Sequence, residues 1–165
     1  MIQVAMIFAA GRGERMRPLT DVTPKPLLKV AGKPLIVWQI EALARAGIRQ
    51  IVINHAWLGE QISEHLGDGD EFGVQLYYSA EQTALETAGG IANALRMLQL
   101  LSDSPIFLAV SGDVYTDYDY EQLHSVADEL ARASEPHMHL IMVDNPEFHP
   151  QGDFVLHEDG VLYPR

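Results

Sequence analysis

The residues best suited to chemistry stand close together near the N-terminus. Gly11-Arg12-Gly13 is followed by Glu14 and Arg15, and then by Lys25 between Pro24 and Pro26. Two glycines directly after an apolar run allow backbone N–H groups to approach an anion closely. Arg15 offers a fork of donors that matches phosphate oxygens, and Lys25 offers a compact point charge. The flanking prolines keep the chain extended on both sides of Lys25 and narrow its freedom. Together these residues predict a phosphate-binding loop.

Two familiar phosphate loops do not fit. A dinucleotide fingerprint needs a third glycine where Met16 stands, and an acidic residue where Asn54 ends the second strand. A Walker loop needs Ser or Thr after Gly-Lys, whereas Gly32-Lys33 is followed by Pro34. The charge distribution agrees with a focused anion site. Residues 1–33 hold six Lys and Arg against two carboxylates, a balance of +4 in a chain of net charge −12. Such an acidic chain is a poor partner for nucleic acid or an anionic membrane. With no cysteine, disulfides and thiolate metal sites are excluded. The seven histidines lack a metal-ligand spacing, and Trp57 reads as a packing residue rather than a stacking platform. The N-terminal apolar run has no basic n-region and is too short to span a membrane, so a cytoplasmic protein is expected.

The elements that must hold these residues alternate between strand and helix. Strands are expected at Val4–Ala10, Ile48–Asn54, Val74–Ser79, Pro105–Val110 and His139–Asp144. Helices are expected at Pro34–Ala46, Leu58–Leu66, Gly90–Leu101 and Tyr120–Ala133, with a strand and a turn within Asp153–Arg165. This order implies an α/β three-layer α/β/α sandwich with a mainly parallel, Rossmann-like sheet. Ligands of such sheets lie beyond the carboxyl ends of the strands. The loop after the first strand, the residues after Asn54 and the stretch Ser111–Asp113 are therefore expected to converge. One domain over residues 1–165 is expected.

Beyond these readings, Ala9-Ala10-Gly11-Arg12-Gly13-Glu14-Arg15-Met16-Arg17-Pro18-Leu19-Thr20 and Pro24-Lys25-Pro26-Leu27 resemble the signature of the sugar-1-phosphate nucleotidyltransferases. Leu85-Glu86-Thr87-Ala88-Gly89-Gly90 resembles that family's base- and sugar-binding segment, and Ser111-Gly112-Asp113-Val114 with Asp117 its metal-binding strand end. Asn54-His55-Ala56-Trp57-Leu58-Gly59 and Val143-Asp144-Asn145-Pro146 resemble a narrower group, the bacterial muramate α-1-phosphate uridylyltransferases.

The resemblance implies transfer of a nucleotide from a nucleoside triphosphate, with UTP favoured, to a sugar 1-phosphate. N-acetylmuramate α-1-phosphate is the favoured acceptor, and pyrophosphate is released. It assigns the triphosphate to Ala10, Gly11, Gly13, Glu14, Arg15 and Lys25, with Arg15 and Lys25 catalytic. It places Glu81 and Gly89 at the nucleotide, Ser111 and Asp144 at the sugar, and Mg²⁺ on Asp113.

The family carries a second metal-binding aspartate on a late strand, which has no counterpart here, so the chain is expected to lack a C-terminal portion. Ala88 and Ser111 stand where glycine and asparagine are usual. The competing readings are a nucleotidyltransferase using dTTP, GTP or CTP with another sugar phosphate or phosphocholine, a catalytically impaired nucleotide-binding module, and, more distantly, an NAD(P)-dependent oxidoreductase.

Overall fold

The computed structural model describes residues 1–165. In chain order its elements are β1 (Val4–Phe8), β2 (Lys29–Val30), β3 (Lys33–Pro34), α1 (Leu35–Arg45), β4 (Gln50–His55), α2 (Gly59–Leu66), β5 (Gln75–Ala80), α3 (Glu86–Leu100), β6 (Leu108–Ser111), α4 (Leu123–Leu130), β7 (Phe154–Leu156) and β8 (Leu162–Pro164). Strands β5, β4, β1 and β6 form one sheet in that spatial order, and every pairing in it is parallel. The chain moves outward from β1 through β4 to β5, then crosses to the other side of β1 for β6. Loops leaving β1 and β6 therefore diverge, and a crevice opens between them.

β1 is apolar throughout because both of its faces are covered. Ala5 and Ile7 join Ile36, Ile40 and Leu43 of α1, Ile62 of α2 and Leu123 of α4 in the larger core. Val4 and Met6 pack with Val52 of β4 and with Ala94 and Leu98 of α3 on the opposite face. The result is the expected three layers, with α1, α2 and α4 on one side and α3 on the other.

Four features depart from the sequence reading. α3 begins at Glu86, four residues before the expected start, so Gly89 and Gly90 lie inside its first turns. The sequence hides β2 and β3, a minimal hairpin whose turn residues Ala31 (φ 52°) and Gly32 (φ 81°) both adopt the left-handed conformation of a type I′ turn. The strand expected at His139–Asp144 does not form. A strand is held by its ladder, and this segment pairs with nothing, leaving Met138, Leu140, Ile141, Met142 and Val143 exposed. Finally, the last residues form a separate hairpin, β7–β8. No helix is long and apolar enough to cross a membrane.

His55, at the end of β4, is buried with its ring edge-on to Tyr78 and against the backbone of Gly59, where any Cβ would fall 1.9 Å from Nδ1. Burial lowers its pKa below the usual 6.5, and the carboxylates of Glu81 and Glu60 oppose this only in part. The unfolded chain therefore takes up a proton at a pH where the folded chain does not. Stability attributable to His55 is intact above pH 6.5 and declines as the pH falls toward the folded value. Melting temperatures measured from pH 8 to pH 5 are expected to show a shallower acid decline in His55→Phe; identical slopes in the two chains would contradict this account.

Candidate active site

A pocket of about 410 Å³ opens at the carboxyl ends of the strands, and one end of it is built by the loop after β1. Phe8 to Glu14, Lys25, Pro26, Asn54, Ala84, Glu86, Thr87, Ser111 and Asp113 line it. Of the three segments expected to converge, the loop after β1 and Ser111–Asp113 meet there, whereas the residues after Asn54 stay outside the lining and only Asn54 itself reaches it. The N–H groups of Gly11, Arg12 and Gly13 make no hydrogen bond within the protein, so this loop carries donors to spare. Such a run of unspent amides suits a polyphosphate.

The loop is braced from behind. Thr20 is fully buried and donates from Oγ1 to the Gly13 carbonyl at 2.9 Å. Gly13 adopts φ 69°, and a Cβ there would meet Thr20 at 3.0 Å and Lys25 at 3.1 Å. Only glycine fits that position without displacing the lysine. Arg12 serves the same brace. Its guanidinium donates to the Thr20 carbonyl at 2.6 Å and to Asp21 at 2.7 Å, and lies 3.9 Å over the Trp57 ring. The hydrogen bond from Arg12, reinforced by Arg17, holds the Asp21 carboxyl below the usual carboxylate range. Trp57 donates from Nε1 to the same Thr20 carbonyl at 3.0 Å, which fixes it as a packing residue.

Lys25 and Asp113 form an ion pair across the pocket. Their side chains are 25% and 31% exposed, so the pair is screened and weak enough to be exchanged for a ligand. A magnesium ion commonly takes one or two protein carboxylates and completes its shell with phosphate oxygens and water. Asp113, which lines the pocket beside the phosphate loop together with Glu14 and Glu86, offers one such carboxylate. No group of three His, Asp or Glu side chains comes together to hold an ion by protein ligands alone.

Of the residues singled out in the sequence, Ala10, Gly11, Gly13, Glu14, Lys25, Ser111 and Asp113 line this one pocket. Arg15 is exposed on the short turn Glu14–Met16, beside the lining but not part of it. Glu81 lies behind the pocket, and Gly89 is packed against Leu85. Asp144 borders a different hollow, with Met142, Phe154 and Leu162. Ala88 is exposed and outside the lining, so its methyl group does not intrude on the pocket.

The residue sequence reasoning undervalued is Asn54. It is buried at the end of β4, lines the pocket, and accepts the Ala9 N–H on Oδ1 at 3.0 Å. Its signal was present: an amide stands where a dinucleotide fold would carry an acid. In the sequence Asn54 excluded that fold and headed the Asn54–Gly59 motif, but it was given no role in the site.

Similarities to known proteins agree with this geometry. The nucleotidyl transferase family matches residues 4–148. N-acetylmuramate alpha-1-phosphate uridylyltransferase of Neisseria meningitidis serogroup B is 55% identical over 161 residues, covering 97% of this chain and 67% of that protein. The mannose-1-phosphate guanylyltransferase catalytic subunit beta of Drosophila pseudoobscura is 41% identical over 120 residues, which cover 72% of this chain and 32% of that protein. Among solved structures, a Bacillus anthracis protein provisionally named a glucose-1-phosphate thymidylyltransferase, crystallised with sucrose, superposes with a TM-score of 0.65. It is 29% identical, and the match covers 79% of this chain and 51% of that one. The chain thus spans from about a third to two thirds of the length of these relatives. With the family's signature loop, its strand-end aspartate and nearly all of its own length accounted for, the chain belongs to the nucleotidyl transferase family.

Proposed function

We propose that this chain is the nucleotide-binding domain, residues 1–165, of a cytoplasmic sugar-1-phosphate uridylyltransferase whose acceptor is N-acetylmuramate α-1-phosphate. The observation that carries the reading is the convergence of the unspent amides of Gly11–Gly13 with Lys25, Ser111 and Asp113 on one pocket. The 55% identity to the Neisseria uridylyltransferase supports the choice of base and sugar.

In the proposed reaction a phosphate oxygen of the sugar phosphate attacks the α-phosphorus of UTP. A new P–O bond forms, the bond to the β-phosphate oxygen breaks, and pyrophosphate leaves. Catalysis of this kind is mostly positioning and charge neutralisation. The loop Ala10–Glu14 holds the triphosphate through its backbone. Lys25 leaves Asp113 to pair with a phosphate, and Arg15, next to Glu14, takes the outer phosphates. Ser111, in the pocket lining, is assigned to the sugar, and Asp144, which borders a different hollow, is not. Mg²⁺, held by Asp113 and phosphate oxygens, would supply further neutralisation of charge on the phosphates.

The test is pyrophosphate release from UTP, GTP, CTP and dTTP, each with Mg²⁺ and N-acetylmuramate α-1-phosphate. Release is expected with UTP at least about tenfold faster than with the other three, the equivalent of one good discriminating contact. Preference for GTP or dTTP would reassign the base, and triphosphate binding without release would leave the chain a binding module.

A further inference from the structure

Glu81 is a buried carboxylate that does not line the pocket, although it stands only a few residues from Ala84, Glu86 and Thr87, which do. Both of its oxygens are spent inside the protein. Oε1 accepts from Asn54 Nδ2 at 2.7 Å, and Oε2 accepts the Leu85 N–H at 2.9 Å. Asn54 in turn accepts the Ala9 N–H on Oδ1. The orientation of this amide is fixed by its partners, since only Nδ2 can donate to a carboxylate and only Oδ1 can accept from an N–H. A continuous chain of hydrogen bonds therefore runs from Ala9, where the phosphate loop leaves β1, to Leu85, where α3 begins. It joins the two walls of the pocket, residues 9–14 and 84–87. Gly90 leaves room for it, since a Cβ there would fall 2.6 Å from Asn54 Nδ2 and 3.0 Å from Glu81 Oε1.

We infer that Asn54 and Glu81 are a positioning pair that sets the spacing between the phosphate loop and the opposite wall, and that Glu81 does not read the base. This rests on the pocket being the nucleotide site. Glu81 is buried with no cation in contact, and every hydrogen bond it makes is internal. A buried link of this kind transmits a change at one end to the other, because unmaking any member leaves a polar group unsatisfied.

The network has a reciprocal form that provides its test. Glu81→Gln turns one carboxylate oxygen into an NH₂, which must face either Asn54 Nδ2 or the Leu85 N–H, donor against donor. Asn54→Asp sets two carboxylates against each other. In the double variant, Glu81→Gln with Asn54→Asp, the new amide at position 81 donates to the new carboxylate at position 54. Both outer acceptors, toward Ala9 and Leu85, are kept.

Two measurements decide the matter. Amide hydrogen exchange at Ala9 and Leu85 in the free protein is expected to accelerate about tenfold or more in each single variant, the equivalent of one unmade buried hydrogen bond, and to return toward wild type in the double. The ratio of UTP to CTP affinity, read by calorimetry, is expected to be the same in wild type and double. Moving the charge to position 54 acts on both triphosphates alike, so it cancels in the ratio. Unchanged exchange in the singles, or no recovery in the double, would overturn the pair. Recovered exchange with a UTP-to-CTP ratio shifted by more than about threefold would show that Glu81 contacts the base, and would overturn the positioning role. Failure of the wild type to bind any triphosphate would refute the nucleotide site instead, while exchange would still decide whether the two walls are linked.

Discussion

Asp113→Ala is expected to abolish the Mg²⁺ dependence of UTP binding while leaving metal-free binding intact or strengthened. In the free protein Asp113 neutralises Lys25. Removing the carboxylate releases the lysine and takes a negative charge away from the phosphates. For partly exposed charges several ångströms apart this is worth about fivefold in affinity. The same change removes the protein's carboxylate for the ion, so added Mg²⁺ no longer tightens binding through the protein. Pyrophosphate release is expected to fall at least about 100-fold, the usual cost of one group that stabilises developing charge. Calorimetry with and without Mg²⁺ separates the two effects. Lys25→Ala provides the opposite sign: affinity falls under both conditions, and the melting temperature hardly moves because the pair is screened. An equal Mg²⁺ enhancement in wild type and Asp113→Ala would refute the metal assignment.

The parts of this site that were legible in the sequence are those where one local pattern dictates one conformation. The run Val4–Ala10 had to hold a central strand because every position is apolar, as β1 (Val4–Phe8) does, and the glycines after it had to be its loop. Alternating strands and helices then required the loop, the residues after Asn54 and Ser111–Asp113 to lie at one end of the sheet, where the loop, Asn54 itself, Ser111 and Asp113 line the pocket. What stayed hidden depends on contacts distant in the chain. Glu81 and Leu85 are near in sequence, but their tie to Ala9 passes through Asn54, and no periodicity encodes a buried hydrogen bond across three elements. The expected strand at His139–Asp144 failed for the same reason in reverse. Its pattern suits a strand, but a strand exists only where a partner supplies the ladder. The start of α3 was expected a turn late, at Gly90, whereas the helix begins at Glu86 and the missing side chains of Gly89 and Gly90 let it lie against Leu85, Asn54 and Glu81.

That last point makes Gly90→Ala a test with a diagnostic sign. Gly90 lies within α3 and has no positive φ, so alanine there would ordinarily stabilise the helix by about 1 kcal/mol. Here the added methyl group would stand 2.6 Å from Asn54 Nδ2, in a buried position where the amide is held at both ends. Something must shift, and overpacking of this kind costs about 1–3 kcal/mol. Gly90→Ala is therefore expected to lower stability, and also to weaken UTP binding about tenfold, because the displaced amide releases the Ala9 N–H from the phosphate loop. Asn54→Ala removes the nearer obstacle and frees Glu81 Oε1, 3.0 Å from the added methyl, from its hydrogen bond so that it can give by a few tenths of an ångström. In that background Gly90→Ala is expected to reverse sign and stabilise the chain relative to Asn54→Ala alone, by at most about the helix-propensity gain. Denaturant melts of the four chains complete the cycle. If Gly90→Ala stabilises both backgrounds equally, α3 does not depend on this close approach, and the asparagine is not held as described.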